Sequence, residues 1–121
     1  MYEIKIKNEQ YRKASPSLKK NIDKALIKLS YLIQEQENYG VSFEKIFNNP
    51  AIKYDIFPNQ FYTFKHHCND SAQLRILYKF IRDKTGAATI ELHGFHHKKR
   101  NNKCYIKEFE NFAQRYKEHC H

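Results

Sequence analysis

The chain has 121 residues, 40% hydrophobic and 15% aromatic, with 22 Lys and Arg against 13 Asp and Glu for a net charge of +9. That length suits a single domain over residues 1–121, and this much apolar and aromatic material excludes a disordered chain. No apolar run approaches the ~20 residues of a membrane span, and the opening residues alternate where a signal peptide is continuously apolar, so a cytoplasmic protein away from the membrane is expected.

Met1 to Asn8 reads as a strand, with Tyr2, Ile4 and Ile6 on one face and Glu3, Lys5 and Lys7 on the other. Ser15-Pro16 starts a helix: Ser caps free backbone donors and Pro fits the first helical position. Leu18, Ile22, Ala25, Leu29 and Leu32 follow as one apolar stripe. Gly40 is a stop, because it tolerates the left-handed conformation that ends helices. Ser42 caps a short second helix through Phe43, Ile46 and Phe47, broken by Asn48-Asn49-Pro50. Ala51 to Gln60 is a connection with strand-like content and a turn at Pro58-Asn59. Three strands follow, Phe61 to Cys68, Gln73 to Arg82 and Ala88 to His97, with hairpin turns at Asn69-Asp70-Ser71 and Asp83-Lys84-Thr85-Gly86. A last helix from about Asn102 to His119 turns Tyr105, Phe109, Phe112 and Tyr116 inward. The plan β-α-α-β-β-β-α makes an α+β domain, an antiparallel sheet packed against two N-terminal helices with a C-terminal helix.

Alternation sorts the strand side chains. Leu74, Ile76, Tyr78 and Phe80, then Ile90 and Leu92, then Tyr62 and Phe64 form faces that lie against the helices. The opposite faces carry Thr63, Lys65 and His67, then Arg75, Leu77 and Lys79, then Glu91, His93, Phe95 and His97. One side of the sheet thus gathers cations, imidazoles and a few aromatics, a surface suited to a phosphate backbone and stacked bases. The positive surplus also favours a polyanion, most often nucleic acid.

Metal-free RNA cleavage requires a group that takes or orients the 2′-hydroxyl proton, one that stabilises charge on the phosphate and one that protonates the leaving 5′-oxygen. Arg75 is the best phosphate holder, since its planar fork makes two hydrogen bonds; its bland alternative is an exposed Arg on a solvated face. Lys65 and His67 share that face. His97 ends the third strand, and Lys98-Lys99-Arg100 leads into the last helix, where Tyr105 leans over the sheet edge or simply packs. His93 reads as a partly buried, hydrogen-bonded residue. His66-His67-Cys68, His96-His97 and His119-Cys120-His121 raise the question of zinc, but the three Cys lack the short paired spacing of zinc sites, and neither a metal nor a cofactor is expected. The odd Cys count implies no disulfide framework and fits a reducing compartment. The acids look like scattered solubility charge.

The ordered set Leu74-Arg75-Ile76-Leu77-Tyr78, Ile90-Glu91-Leu92-His93-Gly94-Phe95, His97-Lys98-Lys99-Arg100 and a helix with Lys107-Glu108 resembles the C-terminal half of RelE/ParE-superfamily toxins, nearest to the HigB branch. The resemblance covers about Asn59 to Glu110; over the first half only element order agrees. It implies the small RelE-like fold and the toxin role of a type II toxin–antitoxin system: an endoribonuclease cleaving mRNA on the ribosome, inhibiting translation and neutralised by a helix-turn-helix antitoxin. It implies catalytic roles for Arg75, for Lys65 or His67 on the preceding strand, for His97 or Lys98, and for a Tyr at or beside Tyr105; of these Arg75, His97, Lys98, Lys65 and Tyr105 are taken as the catalytic set, and His67, Lys79, Lys99 and Arg100 are expected to bind RNA. The His66-His67 pair departs from the family pattern. Two alternatives stay open: a non-catalytic gyrase inhibitor of the ParE kind, and a basic nucleic-acid-binding protein.

Overall fold

The computed structural model of the protein describes residues 2–68, 72–98 and 105–117. The expected turn at Asn69 to Ser71, the basic Lys99 and Arg100, the expected helix start at Asn102 and the His119-Cys120-His121 cluster lie outside them.

The described elements are β1 (Glu3–Ile6), α1 (Gln10–Lys13), α2 (Pro16–Asn38), α3 (Phe43–Ile46), β2 (Ile56–Phe57), a short 3-10 turn (Pro58–Gln60), β3 (Phe61–His67), β4 (Gln73–Arg82), β5 (Ala88–Lys98) and α4 (Tyr105–Arg115). Ser15 caps α2 by accepting from the Leu18 amide, with Pro16 at the first helical position, and Ser42 caps α3 through the Lys45 amide. Gly40 takes φ +76 just past α2, as a helix-ending glycine does. No helix among the described residues is long and apolar enough to cross a membrane.

The five strands form one sheet in the order β1-β5-β4-β3-β2. The expected antiparallel sheet is mixed instead. β1 runs parallel to β5, Glu3 opposite Thr89 and Ile6 opposite Leu92, while the other pairs are antiparallel. The helical region between β1 and β2 supplies the crossover that a parallel pairing needs.

The main core lies between α2 and one sheet face. Ile22, Ala25, Leu26, Leu29 and Ile33 pack on Phe64, Leu74, Ile76, Tyr78, Ile90 and Leu92, all nearly inaccessible. The α2 stripe is thus broader than expected, with Leu26 and Ile33 inside. Burial of each Leu, Ile or Phe side chain among them contributes about 1.5–3 kcal/mol. Tyr78 anchors the surrounding loop by donating its hydroxyl to the Ile52 carbonyl at 2.7 Å.

The other sheet face is not the open platform that alternation implied. α4 crosses it and builds a second, smaller core from Phe57, Phe61, Leu77, Tyr105, Phe109 and Ala113. Ala113 takes the innermost place expected of Phe112, which is 41% exposed and packs its ring on Phe61 and His93 from the rim. The helix ends at Arg115, short of the expected His119, and Asn59 fastens that end by donating its side-chain amide to the Ala113 carbonyl at 2.6 Å. Gly94 lets α4 come close, because a Cβ there would stand 3.2 Å from the Phe109 ring.

Candidate active site beneath the first turn of helix α4

The register brings basic groups together in rungs across three strands. Lys65 pairs with Arg75, and Arg75 with His96; one step further, His67 pairs with Gln73, and Gln73 with Lys98. Directly paired residues share a face, so Lys65, Arg75 and His96 line up on the α4 side.

His97 does not join them. The β4–β5 register shifts between Leu77 and Tyr78: Tyr78 pairs with Leu92 but Leu77 with Gly94, which leaves His93 as the extra residue of a bulge. One extra residue inverts the alternation beyond it. His97 therefore pairs with Leu74 on the α2 side, Phe95 packs on the main core, and His96 occupies the place expected of His97.

Arg75 is only 3% exposed, not a solvated side chain. Its Nε donates to the Tyr105 hydroxyl at 3.3 Å and its Nη2 to the Gln73 side-chain carbonyl at 2.9 Å. Its guanidinium carbon lies 4.8 Å from the Tyr54 ring centre and 5.7 Å from that of Tyr105. The cation is thus held between two aromatic faces, the geometry of cation–π attraction. Lys65 Nζ stands 5.2 Å from the centre of the same Tyr54 ring.

Tyr105 donates its hydroxyl to Asp55 Oδ2 at 2.9 Å, and Thr63 donates to the same oxygen at 2.7 Å. Burial and the Asp55 carboxylate raise the Tyr105 pKa, against the opposing pull of Arg75. The phenol therefore stays protonated at neutral pH. The His96 ring lies 5.4 Å from that of Tyr105, tilted by 36°. Burial foremost, then Lys98, lowers the His96 pKa; Arg75 and His97 act the same way and Glu108 opposes them. His96 is therefore a neutral imidazole at pH 7.

Two atoms here are buried and have no hydrogen-bond partner: Nη1 of Arg75 and Nε2 of His96. Buried polar atoms are ordinarily satisfied, so two orphans on one cross-strand pair leave two hydrogen-bonding positions open there, for water or for a ligand.

Of the residues expected from the sequence, Arg75, Lys65 and Tyr105 come together, with His67 and Lys98 on the next rung. Lys79, expected to contact RNA, is 5% exposed. It lies between the rings of Phe61 and Tyr116 at 5.0 and 4.9 Å and opposite Glu91, because the end of α4 closes over it. His93 is buried and hydrogen-bonded as expected, to Glu91 Oε1 at 2.9 Å. Asp55 and Glu91 are thus structural partners, not solubility charge. Tyr54, Asp55 and His96 escaped sequence reasoning. The first two lie in a connection without periodicity, and the phase of the third is set by the bulge. Among the described residues no cluster of three or more His, Cys, Asp or Glu is placed to hold a metal ion.

Compared with known proteins, the chain matches no family model, no curated protein and no solved structure.

Proposed function

We propose that this protein is an endoribonuclease of the RelE/HigB kind, the toxin of a type II toxin–antitoxin pair, cleaving mRNA on the ribosome without a metal. The observation that carries the reading is the cross-strand pair Arg75–His96, which offers an anion an unsatisfied guanidinium donor beside a neutral, unengaged imidazole nitrogen. Arg75 would hold the scissile phosphate and stabilise the charge that develops on it. His96 takes the 2′-hydroxyl proton, the 2′-oxygen forms its bond to phosphorus, and the bond to the 5′-oxygen breaks. Tyr105, protonated, turns its hydroxyl from Asp55 toward that departing oxygen and gives up its proton. The products are a 2′,3′-cyclic phosphate and a 5′-hydroxyl. Lys65, His67 and Lys98 bind the flanking backbone. The substrate reaches Arg75 as Tyr54, the 45% exposed ring above it, swings aside.

The test is induced expression with primer extension on a reporter mRNA. Codon-phased cuts that vanish on Arg75→Ala support the reading; intact mRNA overturns it. A second reading, a non-catalytic inhibitor of the gyrase-binding kind, draws on the burial of Arg75 and Lys79 beneath α4. It requires supercoiling defects with untouched mRNA. The companion is a helix-turn-helix antitoxin under the first reading, and its co-purification with the chain checks it.

A further inference from the structure

The net charge of +9 is not spent at the Arg75 site. There Arg75 reaches Asp55 through the Tyr105 hydroxyl, Lys79 stands opposite Glu91, and further along β4 Arg82 pairs with Glu37 at 2.7 Å. A second group of cations lies on the opposite side of the sheet, where among the described residues none of Lys20, Lys24 and Lys28 is in a salt bridge and the neighbouring Asp23 is engaged by the Tyr11 hydroxyl.

His66 on β3 and His97 on β5 both pair with Leu74, one from each side, so the two imidazoles flank that residue on the α2 face. Two strand spacings separate them, about 10 Å. His66 Nδ1 and His97 Nε2 are buried and lack hydrogen-bond partners. On α2, Lys24 and Lys28 lie close enough to His66 to act on its charge, and with Lys20 they form a row of exposed lysines, each one helical step of about 6 Å from the next. Like charges at this spacing repel and destabilise a helix. Burial and then Lys28, His67 and Lys24 lower the His66 pKa, with no acidic group among the influences on it.

We propose that Lys24, Lys28, His66 and His97 form a second anion-binding surface, separate from the Arg75 site, that grips the phosphate backbone of structured RNA. This rests on the reading of the protein as RNA-directed. A row of evenly spaced lysines with donors at its base suits a regular line of phosphates and carries no means of reading bases. Placed on the reverse of the sheet, it anchors the protein to a folded RNA while the Arg75 face meets the strand to be cut.

The experiment measures binding of a fluorescent RNA hairpin across a salt series, with cleavage of a short single-stranded oligonucleotide read alongside. Lys24→Glu with Lys28→Glu is compared with Lys5→Glu with Lys45→Glu, the same charge change at exposed positions elsewhere. The first pair is expected to weaken hairpin binding at least tenfold and flatten the logarithmic salt dependence by about two phosphates' worth, leaving oligonucleotide cleavage unchanged. Equal losses in both pairs would reduce the effect to net charge and overturn the proposal. So would displacement of the hairpin by polyglutamate at equal charge, which would make the natural partner an acidic polypeptide. If the wild type binds the hairpin in the expected manner and cuts no RNA, this surface stands and the nuclease reading falls.

Discussion

Arg75 and His96 face each other across β4 and β5, and each keeps one buried polar atom without a partner. The pairing exists only because the bulge at His93 shifts the phase of β5 by one residue.

Exchanging the two neighbouring histidines one at a time separates the bulged register from simple alternation. His96→Gln is expected to lower cleavage by two orders of magnitude or more, the usual loss when a proton-transfer group is removed. His97→Gln should leave oligonucleotide cleavage near wild type. The reverse result would place His97 in the site and contradict the register.

On the nuclease reading, Arg75→Ala removes the proposed phosphate donor and should cost cleavage on the order of a hundredfold to a thousandfold. Arg75→Lys should recover little of it, because an ammonium cannot reproduce a fork already bound to Tyr105 and Gln73. Single-turnover rates of the two variants decide the matter.

Tyr105→Phe keeps the ring against His96 and Phe109 but leaves Arg75 Nε and Asp55 each short of a partner. Denaturant unfolding is expected to show a loss of about 1–3 kcal/mol. A double-mutant cycle with Asp55→Asn should be markedly non-additive, since both residues belong to one network; strict additivity would dissolve that network.

Gly94→Ala puts a methyl group 3.2 Å from the Phe109 ring and 3.5 Å from Leu77. Overpacking of this kind costs about 1–3 kcal/mol. Phe109→Leu introduced with it should recover part of the loss in thermal melts, because it gives the methyl room.

Acid should destabilise the fold through its histidines. His66, His93 and His96 all have folded pKa values below the ordinary 6.5, burial being the first cause in each. The unfolded chain therefore takes up protons first. The stability they contribute is complete above pH 6.5 and drains away as pH falls through that value toward the folded pKa values. His93→Gln should flatten the fall of melting temperature between pH 7 and 5. With His96 as the base of the proposed cleavage, the same depressed pKa should place the acidic limb of the rate profile below 6.5.

The α2 face of the domain was legible in the alternation of Leu74, Ile76 and Tyr78 and in the α2 stripe, because burial there follows simple periods. The other face was not. Leu77, an apolar residue in a row taken for solvent-facing, was the available sign that α4 covers it. The bulge left no mark, since an inserted residue changes phase without changing composition, and so His97 stood where His96 belongs. Asp55 and Tyr54 reach Arg75 through pairing with Thr63 on β3, in which the Tyr54 amide donates to the Thr63 carbonyl at 2.9 Å. No local pattern encodes such a long-range contact. The parallel pairing of β1 was hidden for the same reason.

That pairing also sets an order of events during synthesis. Among the described strands β1 precedes all the others in sequence, yet its partner is β5, which follows all the others. Its contacts are among the most distant in sequence that the fold contains, and closing them is slow relative to local structure. Tyr105, which completes the hydrogen bonding of Arg75, comes later still. A chain emerging from a ribosome thus holds neither a closed sheet nor an assembled Arg75 site until Tyr105 has been translated; on the proposed nuclease reading, the ribosome that makes this protein meets its chemistry only after that point.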